Sequence, residues 1–430
     1  MVTKKIRPGY NKTEVGVIPT DWNVKKFDEV MDGFFSGQTP YRGKPIYYTG
    51  NIPWITSGEL NYNIITDTLE KITLEAVHDK NLKMLPKGTF LFAITGLEAE
   101  KTRGACAITG IETTTNQSCM ALFPKKGLLI TQYLYHYYVK YGKWLALKYC
   151  QGTKQQSYTA GIAKILPIIV PPNVEEQSAI AQVLSDTDAL IESLEKIIEK
   201  KKKIKHGTMQ ELLTGKKRLS EFKGKWGTMA INDIAQRKEY SIVDGPFGSQ
   251  MKVNEFVEKG VPVIEMEHLE NRQSIGNVTR FITEQKFEII KRSAVYPDDI
   301  VISKTGTLGL IGIIPSYIRR GIITSRLAKI SVNKSKANVS FVFHWLRKLK
   351  LDDYWREVSQ GGTMQILGIK MLKEAPFPKI SLNEQSTIAQ ILSDMDREIE
   401  ILEQKRDKYR QLKIGMMQQL LTGGIRLKWN

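Results

Sequence analysis

At 430 residues the chain is too long for one ordinary hydrophobic core, and two to four domains are expected. Its 41% apolar and 25% charged content is that of a soluble globular protein, and no apolar run approaches a membrane span. The formal net charge of +18 points to a polyanionic partner, most commonly nucleic acid, against the plainer reading of charge that only aids solubility.

The N-terminus, MVTKKIRPGYNKTEVG, lacks the apolar stretch of a signal peptide, so a cytoplasmic location is expected. Residues 1–172 form the first globule. Gly16 to Trp22 makes a turn that leads into an amphipathic segment, Val24 to Val30. A loop punctuated by Gly37, Pro40, Gly43 and Pro45 precedes a strand-like run, Ile52 to Thr56. Gly88 to Ile94 is a further strand; the polar loop Thr95 to Gly104 follows, and Ala105 to Ile108 resumes the sheet. The loop Thr113 to Ser118 leads to a strand at Cys119 to Phe123, and an aromatic-rich helix runs from Thr131 to Leu147. The three cysteines, Cys106, Cys119 and Cys150, form no C-x-x-C pair, and the five histidines include no H-E-x-x-H. Neither a disulfide framework nor a metal site is expected.

Residues 173–219 read as one long helix. Asn173 with Glu176 has the spacing of a capping box, no proline interrupts the segment, and Gly215 is placed for a left-handed C-terminal cap. Leu184, Thr187, Ile191, Leu194 and Ile198 recur in steps of three and four, the spacing of a coiled-coil seam. Residues 220–380 repeat the first globule loosely. Trp226 stands for Trp22, Val261 to Ile264 for Ile52 to Ile55, and Phe341 to Trp345 for Tyr133 to Tyr137. Asp298 to Ser303, a polar loop, then Leu310 to Ile314 repeat strand, loop and strand.

Residues 381–430 carry the second long helix. From Glu176 and Glu384 onward, 25 of 44 positions are identical at a constant offset of 208, so the helix is an internal duplication. Its seam is Leu392, Met395, Ile399, Leu402, Arg406, Tyr409, Lys413 and Met416, and Ser381 with Glu384 repeats the cap. Each helix spans on the order of 60 Å at 1.5 Å per residue. Two arrangements satisfy the apolar stripes: separate helices each packed on its own globule, or one intramolecular antiparallel pair, which buries both stripes. Gly207 and Gly415, costly in a helix interior, suit close backbone approach or a shared kink. The expected fold is α+β: two mixed, mainly β globules joined by two long helices in an antiparallel coiled coil, with a pseudo-twofold internal repeat.

Catalytic signatures are sparse. Gly37 to Lys44 has one residue too many for a phosphate loop, and Pro45 stands where a hydroxyl should hold magnesium. Asn51-Ile52-Pro53-Trp54 lacks the double proline of an aminomethyltransferase motif, and Pro297-Asp298-Asp299 with Lys304 lacks nuclease spacing. A self-sufficient enzyme needs placed acids, bases, metals or a cofactor. The loops instead carry side chains suited to base edges, Arg and Lys for guanine, Asn and Gln for adenine. In the first globule these are Gln38, Thr39, Tyr41, Arg42, Lys44, Lys101, Arg103, Asn116, Gln117, Lys154, Gln155 and Tyr158. In the second they are Ser249, Gln250, Lys252, His268, Arg272, Lys304, Thr305, Thr307, Arg326, Thr363 and Gln365. Each is set against its reading as an ordinary polar loop residue, and Asn116 and Gln117 against bonding within their own loop. His136 and His344 fit helix packing better than ligation.

The chain resembles the specificity subunits of type I restriction–modification enzymes. The resemblance rests on Ile18-Pro19-x-x-Trp22, Ser36-Gly37-x-Thr39-Pro40, Pro53 to Ser57, Thr115-Asn116-Gln117 and Pro171-Pro172-x-x-Glu175-Glu176-Gln177. Leu212 to Gly215 with Arg218-Leu219, Asn383-Glu384-Gln385, and Leu420 to Gly423 with Arg426-Leu427 complete it. The second globule departs from the pattern, with Gly245-Pro246-Phe247-Gly248-Ser249 in place of the Gly-x-Thr-Pro loop. The resemblance implies a non-catalytic reader of double-stranded DNA, each globule a target recognition domain for half of a split, asymmetric site. The helix pair would set the spacer, two readers on one face of a duplex standing about one turn, ~34 Å, apart. Two methyltransferase subunits would dock on the duplicated helices and globule flanks, and motor–nuclease subunits would join them. S-adenosylmethionine, ATP and magnesium would sit on those partners and no cofactor on this chain. The alternatives are a stand-alone architectural nucleic-acid-binding protein and a complete enzyme with an unrecognised site.

Overall fold

A computed structural model describes residues 6–152, 156–269, 275–359 and 365–427. The chain divides into two compact units. One is Met1–Ser193 with Arg406–Asn430, the other Leu194–Lys405.

In the first unit a five-stranded sheet runs in the order Met31–Ser36, Cys119–Pro124, Phe90–Ala93, Cys106–Thr109, Asn63–Ile65. The central strand Phe90–Ala93 is buried along its whole length. That is why it reads as an unbroken apolar run rather than an alternation. Helix Thr131–Tyr149 covers it, with the Tyr138 ring 5.5 Å from Phe90 and 5.2 Å from Phe92. A smaller sheet orders Thr114–Thr115, Ile52–Ile55 and Glu70–Ile72. The segment Val24 to Val30 divides into strand Asn23–Lys26, paired with Pro167–Val170, and one helical turn, Phe27–Val30.

The second unit repeats this plan. One sheet orders Ile242–Asp244, Leu327–Ile330, Ile300–Ser303 and Ile311–Ile313; another orders Phe281–Ile282, Val261–Ile264, Gly321–Ile323 and Ala294–Val295. Helix Val339–Leu351 takes the place of Thr131–Tyr149. In both units a short strand pairs in parallel with the strand before a loop: Thr115 opposite Ile55, and Ile323 opposite Ile264.

The long helices are Val174–Leu212 and Leu382–Leu420, 39 residues each. The expected seam positions are buried or half-buried throughout. Within the first unit Glu176 meets Arg426 and Asp188 meets Lys413. Within the second, Lys205 meets Asp396 and Arg218 meets Glu384. Ascending one helix means descending the other, so the pairing is antiparallel. Asp188 and Asp396, like Lys205 and Lys413, are 208 apart, so each unit holds the same Lys–Asp pair with the helices exchanged.

Two expectations about these helices are corrected. Asn173 and Ser381 do cap, accepting from Glu176 N–H at 3.0 Å and Glu384 N–H at 3.2 Å. The two glutamates do not reach back; their carboxylates are bound by arginine. Gly207 and Gly415 are exposed, and a Cβ at either would meet nothing within 4 Å, so no close backbone approach explains them. The helix ends behave as expected, with Gly215 at φ +69° and Gly423 at φ +67°. Each glycine lies under a tryptophan, Trp226 or Trp22. Among the described residues, no helix is long and apolar enough to cross a membrane.

Candidate nucleic-acid interface

The loops that carry the candidate side chains converge at one edge of each unit. In the first unit the crossing is made by Gly37, whose N–H donates to Asn116 O at 3.2 Å. A Cβ there would lie 1.6 Å from Thr115 O, so only glycine fits. Ile94 N–H donates to Ser118 O at 2.9 Å, and Tyr158 N–H to Ile94 O at 2.8 Å. Trp54, buried, donates from Nε1 to Gln38 O at 3.2 Å, and Tyr48 from its hydroxyl to Pro40 O at 2.7 Å. Four loops are thus tied to one scaffold.

The second unit repeats the ties of Ile94 and Tyr158, while its crossing glycine, Gly245, donates to Leu327 O at 3.0 Å. Lys304 N–H donates to Arg326 O at 2.8 Å, and Leu367 N–H to Lys304 O at 2.9 Å. Gly245 makes the crossing, its absent Cβ 2.0 Å from Thr324 O. The Gly245 to Ser249 segment, which departs in sequence from Gly37 to Tyr41, therefore occupies the same place.

Within that frame the candidates separate. Gln38, Thr39, Asn116 and Gln117 share one corner, where the Thr39 hydroxyl donates to Gln117 Oε1 at 2.6 Å. Asn116 bonds its own loop, Oδ1 accepting from Ser118 N–H at 3.0 Å. Tyr41 is 68% exposed, and Lys101 is also exposed. Arg42 forms a bidentate pair with Glu70 at 2.5 and 2.8 Å and lies over the Tyr48 ring. The Arg42 hydrogen bonds hold the Glu70 carboxyl below its ordinary range. Lys44 donates to Glu75 at 2.6 Å and to the Tyr47 hydroxyl at 3.0 Å. Arg103 is turned onto its own loop, donating to Leu97 O at 2.9 Å and Glu98 O at 2.8 Å.

In the second unit, Lys304 pairs with Asp244 at 3.0 Å, and Asp244 also meets Arg292 at 2.9 Å. Arg326, Thr307, Ser249, Gln250 and Lys252 are exposed; Thr305 and Gln365 are half-buried. Gln250 caps its own turn, accepting from Phe247 N–H at 3.1 Å.

Two candidates are corrected. Tyr158 is 3% exposed and packs on Phe92, so it offers no face to a duplex. His268 is 5% exposed, and its Nδ1 accepts from Glu265 N–H at 2.9 Å. It serves its turn as Glu59 serves the first unit, where that carboxylate accepts from Thr56 N–H at 2.8 Å. Burial lowers the His268 pKa, which favours the neutral ring that can accept. Lys154, Gln155, Arg272 and Thr363 lie outside the described residues.

Sequence reading missed the acids that hold the basic side chains. Glu70 and Glu75 are 28 and 31 residues from Arg42 and Lys44, so nothing local signals them. Glu265, Glu267 and His268 bring ligand atoms within 4.8 Å of one another, yet His268 is committed to Glu265 N–H and Glu265 to Arg280 at 2.9 Å. The supposed nuclease cluster is dispersed: Asp298 pairs with Lys334, Asp299 accepts from Tyr296 N–H, and Lys304 is on Asp244.

The sequence model described as "Type I restriction modification DNA specificity domain" matches twice, at residues 19–205 and 223–409. The chain is 27% identical over 438 residues to the putative type I restriction enzyme MjaX specificity subunit of Methanocaldococcus jannaschii, with 97% of each covered. It is 34% identical over 207 residues to the MjaIX specificity subunit of the same organism, 46% of either chain. Its fold is similar to the crystal structure of a type I restriction-modification S subunit from M. genitalium, with a TM-score of 0.63, 99% of both chains covered and 18% identity. A doubled domain on a doubled helix, matched over the length of the chain, leaves one assignment: the protein belongs to the family of type I restriction–modification specificity subunits.

Proposed function

We propose that each globule, 1–172 and 220–380, reads one half of a bipartite, asymmetric site on double-stranded DNA. The helical segments 173–219 and 381–430 set the number of unread base pairs between the halves and receive two methyltransferase subunits. Motor–nuclease subunits join that complex to cut unmodified DNA. The chain itself carries no catalytic group; S-adenosylmethionine, ATP and magnesium belong to its partners, and the assembly works in the cytoplasm.

One observation carries this reading. At the loop edge the backbone bonds Ile94 to Ser118 and Tyr158 to Ile94 recur as Lys304 to Arg326 and Leu367 to Lys304, and Gly37 and Gly245 make the same close crossing, while the side chains on that edge differ. Equal scaffolds bearing unlike surfaces are what two readers of unlike sequences require. The net charge of +18 supports a polyanionic ligand. In the first unit the interface comprises Gln38, Thr39, Tyr41, Arg42, Lys44, Lys101, Asn116 and Gln117. In the second it comprises Ser249, Gln250, Lys252, Lys304, Thr305, Thr307, Arg326 and Gln365. Arg42 and Lys44 would exchange exposed or half-exposed acidic partners for phosphate or base, a small cost for surface ion pairs, whereas Lys304 would leave a mostly buried Asp244 to Arg292.

Co-expression with the cognate methyltransferase, followed by mapping of methylated adenines, tests the reading. One motif with two specified parts around an unspecified spacer is expected. A continuous or palindromic motif, or methyl transfer by the purified chain alone, would overturn it.

A further inference from the structure

The amides of Asn116 and Gln117 are each oriented by a hydrogen bond to the protein. Asn116 is fixed at three points: its N–H donates to Ile55 O at 2.9 Å, its carbonyl accepts from Gly37, and Oδ1 accepts from Ser118 N–H. A backbone N–H can only donate, so the atom facing Ser118 must be the oxygen, and Nδ2 is turned away from it. Gln117 is exposed, and its Oε1 is held by the Thr39 hydroxyl. The 2.6 Å separation is that of an O–H···O bond, shorter than an amide nitrogen would give. Neither Nδ2 nor Nε2 has a partner among the described residues.

We infer that Asn116 and Gln117 present a donor edge to the duplex, fixed in part by Thr39 as a positioning residue, and that this edge takes paired acceptors rather than adenine. The inference rests on the proposed DNA reading of the first globule. Adenine offers a donor beside an acceptor in the major groove, and an amide reads it by presenting both its oxygen and its nitrogen. Here one lone pair of each oxygen is engaged with the protein, which turns the oxygen inward and leaves the nitrogen as the group offered outward; the second lone pair is what the adenine arm of the test probes. Paired acceptors occur on a phosphate and on the O6/N7 edge of guanine. The second unit keeps the crossing glycine but places Phe247 and Ser325 where Thr39 and Gln117 stand. A serine hydroxyl can donate or accept, so the effect belongs to one half-site only.

The test uses the complex of the chain with its methyltransferase subunits. Binding is measured on a duplex bearing the mapped site, on its single-base variants and on an unrelated duplex. Asn116→Asp and Gln117→Glu keep the inward bonds but exchange the outward nitrogen for oxygen and add a negative charge, so Asn116→Ala and Gln117→Ala are measured beside them and only a loss that the uncharged variants share counts for the donor. Each acidic variant is expected to weaken binding about tenfold or more, as for a lost hydrogen bond with an acceptor set against an acceptor. If the acceptor is phosphate, the loss is the same on every duplex, the unrelated one included. If it is guanine, the loss falls on one G·C pair and discrimination there collapses. Thr39→Val is expected to give part of the Gln117→Ala loss, Thr39→Ser to restore it, and Thr39→Val to cost nothing more once Gln117 is Ala. Loss confined to an A·T pair, or wild-type binding by both acidic variants, would overturn the inference. A wild-type complex that shows no preference among the duplexes would instead sink the DNA reading, and the inference with it, before any variant is compared.

Discussion

Glu176 and Glu384 are carboxylates with almost no exposure, and each is met by an arginine from the far end of the other long helix. Arg218 reaches Glu384 through Nε and Nη2 at 2.7 and 2.9 Å, and Trp226 Nε1 adds a bond at 3.2 Å. Arg426 reaches Glu176 and also Asp21. Removing one arginine leaves a buried charge without its partner, which costs more than the pair contributes. Arg426→Ala is expected to lower the unfolding free energy by about 3 kcal/mol in urea titration, with Arg426→Lys recovering little because the bidentate geometry is lost. His136, like its counterpart His344, contributes a pH dependence. Burial pushes its pKa down to about 3, and its Nε2 lies 2.9 Å from Ser185 Oγ on the long helix. The folded chain holds the ring neutral, whereas the unfolded chain protonates it below about pH 6.5. Stability from this group is whole above pH 6.5 and falls as acid is added toward pH 3. His136→Gln is expected to flatten the decline of the melting temperature between pH 6.5 and 4; an unchanged slope would assign the acid sensitivity elsewhere.

The long helices were the most legible elements, because apolar residues three and four apart survive any surface drift. Their polar seam positions were less so. Lys413 sits in the seam because Asp188 answers it at 2.5 Å, and Lys205 because Asp396 does; neither partner is near in sequence. Burial lowers the Lys205 pKa to about 8, with Arg347 adding to the effect and Asp396 opposing it. Strands with continuous burial, such as Phe90–Ala93, were legible for the same reason as the helices. The candidate interface was legible only as a set of loops. Which side chains point outward depended on acids and hydroxyls tens of residues away, and Tyr158 was misplaced because an aromatic in a polar loop gives no sign of facing inward. The helix glycines supply a direct check. With open space at both, Gly207→Ala and Gly415→Ala should each stabilise the chain by about 1 kcal/mol, read as a higher urea midpoint. A loss of stability would mean that the backbone there needs glycine. If the helices act as the ruler, inserting one turn after Leu194 with a matching turn after Leu402 should change the spacer in mapped methylation sites and leave both half-sites intact. An unchanged spacer would remove that role.

At the scale of the whole molecule, duplication has produced two scaffolds with the same backbone ties and unlike loop chemistry. The first unit presents Tyr41 and two amides, Gln117 held by Thr39 and Asn116 by its own loop; the second presents Phe247, Arg326 and a lysine held by Asp244. If each unit reads one half-site, as proposed, the two surfaces are separable. The most direct measurement is to replace residues 220–380 with the corresponding globule of another specificity subunit, co-express the hybrid with the methyltransferase, and map methylated adenines. The account predicts a motif in which one half and the spacer are retained and the other half is new. A motif altered in both halves, or altered in neither, would contradict it.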